Sequence, residues 1–188
     1  MTQRDIQRAI MRERYRRSTV CPNYTPVGWF ECDVFELTAA GYFREFEIKL
    51  TRSDFLADVN KCQSRWNGQR TELGFTYENY YKHAALASRS DAGPVEFWYV
   101  CPEGMIDIGE LPEWAGLLEC KSRAGRPASC MNMTVVRRAP RLHDTKAYPG
   151  VVAHAKGIFY WRFQNLFIHH GRESEVSQQE QHDIDWMI

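Results

Sequence analysis

Two runs rich in aromatic and β-branched residues, separated by a short linker, constrain the fold of this chain more than any other feature. The first run is WFECDVFEL, residues 29–37, and the second is YFREFEIKL, residues 42–50. The linker between them, TAAG, contains a glycine, which suits a tight turn. The pattern therefore predicts a β-hairpin.

The hairpin also predicts a register. If the strands are symmetric about Ala40, residues equidistant from Ala40 face each other, so Asp33 is opposed to Glu47. Glu31 is then opposed to Lys49, and Asp33, Glu47 and Lys49 share one face. Directly opposed Cβ atoms lie about 4.5–5.5 Å apart, and two carboxylates at that separation repel each other unless a positive charge lies between them. A divalent cation would supply that charge.

The residue types suggest phosphodiester chemistry. Carboxylate oxygens from two strands suit Mg²⁺, with Mn²⁺ as a substitute, and Mg²⁺ accepts phosphate oxygens as further ligands. Lys49 lies about 6.6–6.8 Å beyond Glu47 on the same face, where its ammonium can reach a metal-bound water or a phosphate. The plainer alternatives are a salt bridge between Lys49 and Glu31 and a hydrogen-bonded strand end at Asp33.

The remaining pattern is that of a mixed α/β (α+β) domain, with a mixed central sheet flanked by helices. An amphipathic helix is predicted over residues 3–17, and TRSDFLADVNK after the hairpin is expected to be a second helix. A loop around Asn67 and Gly68 is expected to precede a helix over YENYYKHAALA. Three short strands follow, VEFWYVCP, GLLECK and MTVVRR, and a closing helix starts at Pro149. Residues 1–170 are expected to form one domain, and residues 171–188 a polar acidic tail without order.

Composition narrows the function classes. Lys plus Arg and Asp plus Glu both total 24, which argues against a nonspecific DNA coat protein. Residues 4–17 nevertheless hold six arginines against two acids, and residues 121–146 hold seven basic residues against one acid. These two basic segments could flank a phosphate-bearing ligand, or form a solvated surface. Six cysteines without a CxxC pair, no signal peptide and no long apolar stretch lead us to expect a cytoplasmic protein with free thiols and no membrane partner.

Asp33, the short hairpin and the run Glu47-Ile48-Lys49 resemble the PD-(D/E)xK nuclease superfamily. The flanking segments FEIKLTRSDFLADVNK, VEFWYVCPEGMI and LPEWAGLLEC are similar to its MmcB-like DNA-repair branch and to related phage proteins, over Trp29 to Arg141. The resemblance implies a restriction-endonuclease-like core. Cys32 stands where the motif has proline, and about twenty residues are inserted between Lys61 and Lys82-His83.

The resemblance also assigns roles to residues. It implies metal ligation by the carboxylates of Asp33 and Glu47 and the backbone carbonyl of Ile48, with Lys49 as the catalytic lysine. Glu13 would be the N-terminal helix acid that some members use.

Four further residues are candidate nucleic-acid contacts. Lys61, Lys82 and His83 are expected on helices after the hairpin, where cationic side chains can hold phosphates, although a solvated face explains each equally well. Trp66, in the polar insertion, is the candidate for base stacking.

The expected function is therefore Mg²⁺-dependent hydrolysis of DNA in repair, recombination or phage DNA metabolism. One alternative is a catalytically silent nucleic-acid-binding or accessory protein with a nuclease-like fold, and another is a protein-interaction module with a vestigial site. Expected partners are DNA, a second copy of the chain, or a repair or phage protein.

Overall fold

The computed structural model describes the backbone of residues 1–71, 74–123, 125 and 130–185, and the side chains of these residues except 66, 67, 70, 71, 75, 167 and 169–185. Helices and strands alternate in an irregular order along this described chain. In chain order they are α1 (Gln3–Arg14), β1 (Ser18–Tyr24), β2 (Cys32–Thr38), β3 (Phe43–Ile48), α2 (Arg52–Ala57), a 3₁₀ turn (Asp58–Asn60), β4 (Cys62–Thr71), β5 (Gly74–Tyr81), α3 (Lys82–Ala87), β6 (Glu96–Pro102), β7 (Ala115–Ser122), β8 (Met131–Arg137) and α4 (Pro149–Asp185).

Six strands form a central sheet in the order β1-β2-β3-β6-β7-β8. The β3–β6 and β6–β7 pairs are parallel, and the other three pairs are antiparallel. A mixed sheet with helices is what the sequence predicted, so the α/β fold class is confirmed. All three strands expected after the hairpin segment, β6, β7 and β8, are present.

Helix α1 covers one face of the sheet. It begins at a capping box in which the Thr2 side chain accepts the Asp5 N–H and the Asp5 carboxylate accepts the Thr2 N–H. Its apolar side, including Ile6 and Ile10, packs in a buried cluster with alternate residues of the sheet, among them Phe46. Because strand side chains alternate, the odd-numbered residues of β2 and β3 point to the other face.

The β2–β3 hairpin has the predicted register. Val34 is paired with Phe46, and Glu36 with Arg44, as symmetry about Ala40 requires. The turn is closed by the Thr38 N–H bonding to the Tyr42 carbonyl at 2.9 Å. Gly41 has φ +86°, a left-handed conformation that favours glycine, so the linker residue singled out in the sequence allows the turn.

The segment after Lys61 forms a β-ribbon, which corrects the expected loop and helix. Strands β4 and β5 pair only with each other in the described chain, from Cys62 opposite Tyr81 outward. The helix expected over residues 77–87 is confined to α3. The tyrosines at 77, 80 and 81 suggested helical spacing, but aromatic residues favour strands when a partner strand is available.

Contacts divide the chain into two units, Met1–Val152 and Ala153–Ile188, earlier than the boundary expected after residue 170. The first unit contains both sheets. In the second, the α4 backbone is helical to Asp185, through the tail for which disorder was expected. All six cysteines are free thiols. No helix within the described residues has the length and apolar character needed to cross a membrane.

Candidate functional site

The hairpin places Asp33 beside the end of β3. Its Oδ2 accepts the Ile48 backbone N–H at 2.7 Å, and its Oδ1 accepts Nε2 of Gln3 at 2.8 Å. Burial, followed by the negative charge of Glu47, raises the pKa of Asp33 to about 6. The charge of Glu47 therefore acts on Asp33.

Glu47 is 3% exposed and is bound by three lysines. Its Oε1 accepts from Lys49 at 3.1 Å and Lys61 at 3.0 Å, and its Oε2 accepts from Lys82 at 2.5 Å and Lys61 at 3.2 Å. Burial alone would raise the pKa of Glu47, but the positive charges of Lys82, Lys61 and Lys49 lower it below its usual range. Glu47 is thus a carboxylate in the folded protein.

Lys49 lies between two carboxylates. Its Nζ is 3.1 Å from Glu47 Oε1 and 2.7 Å from Asp58 Oδ1. Burial opposes its charge, but Glu47 and Asp58 raise the pKa of Lys49 above its usual value. Lys49 is therefore an ammonium at neutral pH, able to donate hydrogen bonds and stabilise negative charge but not to accept a proton.

Asp58, in the 3₁₀ turn, is a site residue that the sequence motif does not include. Its Oδ2 accepts the Tyr99 hydroxyl at 2.7 Å and lies 2.9 Å from His83 Nε2. Burial raises the pKa of Asp58, but the His83 hydrogen bond and nearby lysines lower it well below its usual range. The only sequence signal was its position in the DF-containing segment, nine residues after Lys49, where a continuous helix was expected.

Lys82 is a structural ion-pair residue, which corrects its expected role in binding phosphate. It is fully buried, and its Nζ lies 2.6 Å from Glu45 Oε1 and 2.5 Å from Glu47 Oε2. The other oxygen of Glu45 accepts Nε1 of Trp29 at 2.7 Å. With no exposed surface, Lys82 cannot meet a nucleic acid in this arrangement.

Two of the other predicted nucleic-acid contacts, Lys61 and His83, have exposed surface. Lys61 is 31% exposed at the edge of the cluster, and His83 is 17% exposed, with its ring edge against Trp114. Both are near enough to the surface to meet a ligand. The Trp66 side chain lies outside the described residues.

Glu13 is not brought to the cluster. It is ten residues from Gln3 along α1, about 15 Å by helical rise, and it lines a different cavity together with Glu36 and Arg44. Gln3 is the α1 residue that touches Asp33, so the helix contributes an amide where an acid was expected.

The donors at this site fit a hard cation in type. Asp33, Glu47 and the Ile48 carbonyl would supply oxygens, which Mg²⁺ and Mn²⁺ prefer. Lys61 is itself a cation placed against both oxygens of Glu47, and its charge lowers the pKa of Asp33. A positive charge thus already lies against these carboxylates, and Lys61 would have to move aside for a metal ion to bind them. No group of three His, Cys, Asp or Glu suited to a metal occurs among the described residues.

The chain was compared with known proteins at the level of sequence and of structure. No protein-family model matches it, and no curated protein sequence matches it. Its structure is similar to that of a protein of unknown function from Silicibacter pomeroyi, with a TM-score of 0.58 and 18% sequence identity. The alignment covers 88% of this chain and 91% of that chain. The two chains therefore share a fold, and a fold alone does not assign a reaction.

Proposed function

We propose that this chain is a Mg²⁺-dependent nuclease with a restriction-endonuclease-like core, which hydrolyses phosphodiester bonds of DNA. One observation supports the proposal: Asp33 bonds to the Ile48 N–H and Lys49 bonds to Glu47, at the end of a hairpin whose register the sequence predicted. Two carboxylates are suited to hold a divalent metal, and a charged lysine beside them can stabilise negative charge during phosphodiester hydrolysis.

The residues of the chain would divide the work as follows. Asp33, Glu47 and the Ile48 carbonyl would hold Mg²⁺, which when bound lowers the pKa of water and neutralises phosphate charge. Lys49, kept charged by Glu47 and Asp58, orients the attacking water by donating a hydrogen bond and stabilises negative charge developing on the phosphate. Lys61, which is partly exposed, would be released from Glu47 when the metal is bound and could then contact a phosphate.

The test is cleavage of labelled single-stranded, duplex and branched DNA in Mg²⁺, Mn²⁺ or EDTA. We expect cutting that requires the metal and is lost in Lys49→Ala. Lys121→Ala is the matched control, because Lys121 is an exposed lysine paired with Glu103 at the end of β7. Cutting that survives EDTA or Lys49→Ala would contradict the proposal.

A second candidate is a catalytically silent nucleic-acid-binding or accessory protein that retains the nuclease fold, within a repair or phage complex or as a homodimer. The observation that favours it is the neutralisation of Glu47 by three lysines, which stabilise the carboxylate cluster without a metal. Calorimetry with Mn²⁺ separates the two candidates. The nuclease binds the ion through Asp33 and Glu47, whereas the silent protein binds none.

A further inference from the structure

A groove with a volume of about 770 Å³ opens beside the β2–β3 turn. Its charged lining consists of four arginines and two glutamates: Arg14, Arg16, Arg17, Arg44, Glu13 and Glu36. The chain as a whole has no net charge, so this is a local excess of positive charge. An excess of guanidinium groups around an open groove favours an anionic ligand.

Ion pairs form part of the wall of this groove. Glu36, 1% exposed, accepts the Ser18 hydroxyl at 2.6 Å and lies 3.5 Å from Arg14 Nη1 and 3.7 Å from Arg44 Nη1. Arg14 also lies over the Phe46 ring at 5.4 Å. Arg44 is also bound by Glu96, whose Oε2 lies 3.1 Å from Arg44 Nε. Glu36 and Glu96 thus position these two guanidinium groups in the wall of the groove.

The remaining arginines are available to a ligand. Arg16 and Arg17 are exposed, and neither forms an ion pair with a described residue. The exposed ring of Tyr15 lies beside Arg16, at 5.6 Å from its Cζ. Arg16 Nε donates a hydrogen bond to the Tyr15 hydroxyl at 3.0 Å. Exposed guanidinium groups without an ion-pair partner suit phosphate contacts, and the accessible aromatic ring suits base contacts.

The C-terminal end of the second basic segment, with Arg141 and Lys146, lies next to this groove. Arg141 Cζ lies 4.4 Å from the centre of the Tyr42 ring, and Lys146 Nζ lies 6.0 Å from it. The Ala147 N–H bonds to the Gly41 carbonyl at 2.9 Å, which fixes this segment to the turn. Arg141 and Lys146 therefore lie beside Tyr42, which also lines the groove together with Arg14, Arg16 and Arg17 of the first basic segment.

This groove is separate from the candidate catalytic cluster. Glu36 and Arg44 lie on the α1 face of the sheet, whereas Glu45 and Glu47 lie on the opposite face. Tyr42 is also five residues from Glu47, about 17 Å along an extended strand. The groove cannot be the pocket for the phosphate being cut.

We infer that this arginine groove, with Arg141 and Lys146 beside it, is a binding site for the phosphodiester backbone of a nucleic acid. Several cations spaced around an open surface suit a polymer with one charge per nucleotide better than a single small anion. The planar guanidinium group can bond a phosphate through two N–H groups at once. The inference goes beyond the proposed function, because it requires neither a metal nor Lys49.

The test is fluorescence anisotropy of labelled 20-nucleotide DNA and RNA, single-stranded and duplex, in EDTA over a series of salt concentrations. The double variant Arg16→Glu/Arg17→Glu is compared with Lys121→Glu/Arg123→Glu, which makes the same charge change on exposed residues at the other end of the sheet. Circular dichroism verifies that both variants are folded.

We expect the groove variant to bind at least roughly tenfold more weakly, with the slope of log K against log salt reduced by about two, since each lost phosphate contact removes close to one unit. The control variant should bind as the wild type does. Absence of wild-type binding to every nucleic acid would overturn the inference, as would equal weakening in the control variant.

Two further measurements test whether the groove instead binds the phosphate of a lipid headgroup or free inorganic phosphate. Binding to vesicles of phosphatidylserine and phosphatidylcholine without binding to nucleic acid would overturn the inference, as would full competition by millimolar inorganic phosphate. The failure of one proposal can be distinguished from the failure of the other. If the groove variant loses binding and no protein cleaves DNA, the groove proposal is supported and the nuclease proposal is refuted. If cleavage depends on Lys49 and the groove variant binds as the wild type does, the nuclease proposal is supported and the groove proposal is refuted.

Discussion

Lys49 Nζ and Asp58 Oδ1 are joined by a hydrogen bond of 2.7 Å, shorter than the 3.1 Å bond from Lys49 to Glu47. The lysine of the ExK run is thus held most closely by a carboxylate outside that run. Asp58 in turn is bonded to Tyr99 and lies against His83. The position of the Lys49 ammonium therefore depends on a buried network that reaches from the hairpin to β6 and α3.

Asp58→Asn should slow cleavage if the chain is a nuclease, because it weakens the hydrogen bond that holds the Lys49 ammonium. Hydrogen bonds to charged groups contribute about 1.5–3 kcal/mol, so we expect kcat to fall roughly 10- to 100-fold with KM little changed. The pKa of Lys49 should also fall, which would move the alkaline limb of the pH–rate profile to lower pH. Asp54→Asn is the matched control, because Asp54 is 3.7 Å from Lys49 Nζ and half exposed. An unchanged pH profile in Asp58→Asn would show that Asp58 has a structural role alone.

Lys82→Met should destabilise the fold. It leaves Glu45 and Glu47 buried without their shared cation, and breaking a buried ion pair costs about 3–5 kcal/mol. Urea denaturation measures the loss. Lys121→Met, at an exposed ion pair, should cost less than about 1 kcal/mol. Adding Glu45→Gln to Lys82→Met should recover part of the loss, and a double variant no more stable than the single one would argue against this account.

Asp33 should make stability depend on pH in the acidic range. Its pKa is raised from the model-compound value of 3.8 to about 6, so its contribution to stability is fully present below the unfolded value and is lost as pH rises through 6. We therefore compare the free energy of unfolding of the wild type with that of Asp33→Asn. The wild type should lose stability relative to the variant between about pH 4 and 6, and the difference should be constant above pH 6. Denaturation of both proteins at several pH values measures this difference. A difference independent of pH would mean that Asp33 titrates normally.

Lys61→Ala should tighten divalent-metal binding. It removes the ammonium that lies within 3.2 Å of both oxygens of Glu47, which leaves the carboxylate pair with less positive charge. We expect the affinity for Mn²⁺, measured by calorimetry, to rise by at least roughly fivefold, and the Lys121→Ala control to bind as the wild type does. Weaker Mn²⁺ binding in Lys61→Ala would place the ion elsewhere.

The hairpin could be predicted because its information is local. Alternating aromatic and charged residues, the glycine at the turn and the symmetry about Ala40 together specified which residues face each other, and the structure has that register. Asp33 lies on β2 and Glu47 on β3, and Lys49 follows directly after the end of β3. Pairing rules alone were sufficient for this part of the site.

The rest of the cluster could not be predicted from local pattern. Lys82 lies thirty-five residues from Glu47 in sequence, and only the folded ribbon brings the two together. Its burial between Glu45 and Glu47 reverses its expected role at a surface. Asp58 was missed for a related reason. The sequence predicted one helix through Asp58, but helix α2 ends at Ala57 and Asp58 begins a 3₁₀ turn.

The β4–β5 ribbon starts directly after Lys61 and ends directly before Lys82, and both lysines bind Glu47. The Lys82 N–H also bonds to the Lys61 carbonyl at 3.0 Å, so the chain leaves and returns at one point. When the two ends of a segment are bonded to each other in this way, the entropic cost of closing it rises only slowly as the segment becomes longer. Evolution can therefore lengthen, shorten or exchange the ribbon as a module while the carboxylate beneath it keeps the same partners.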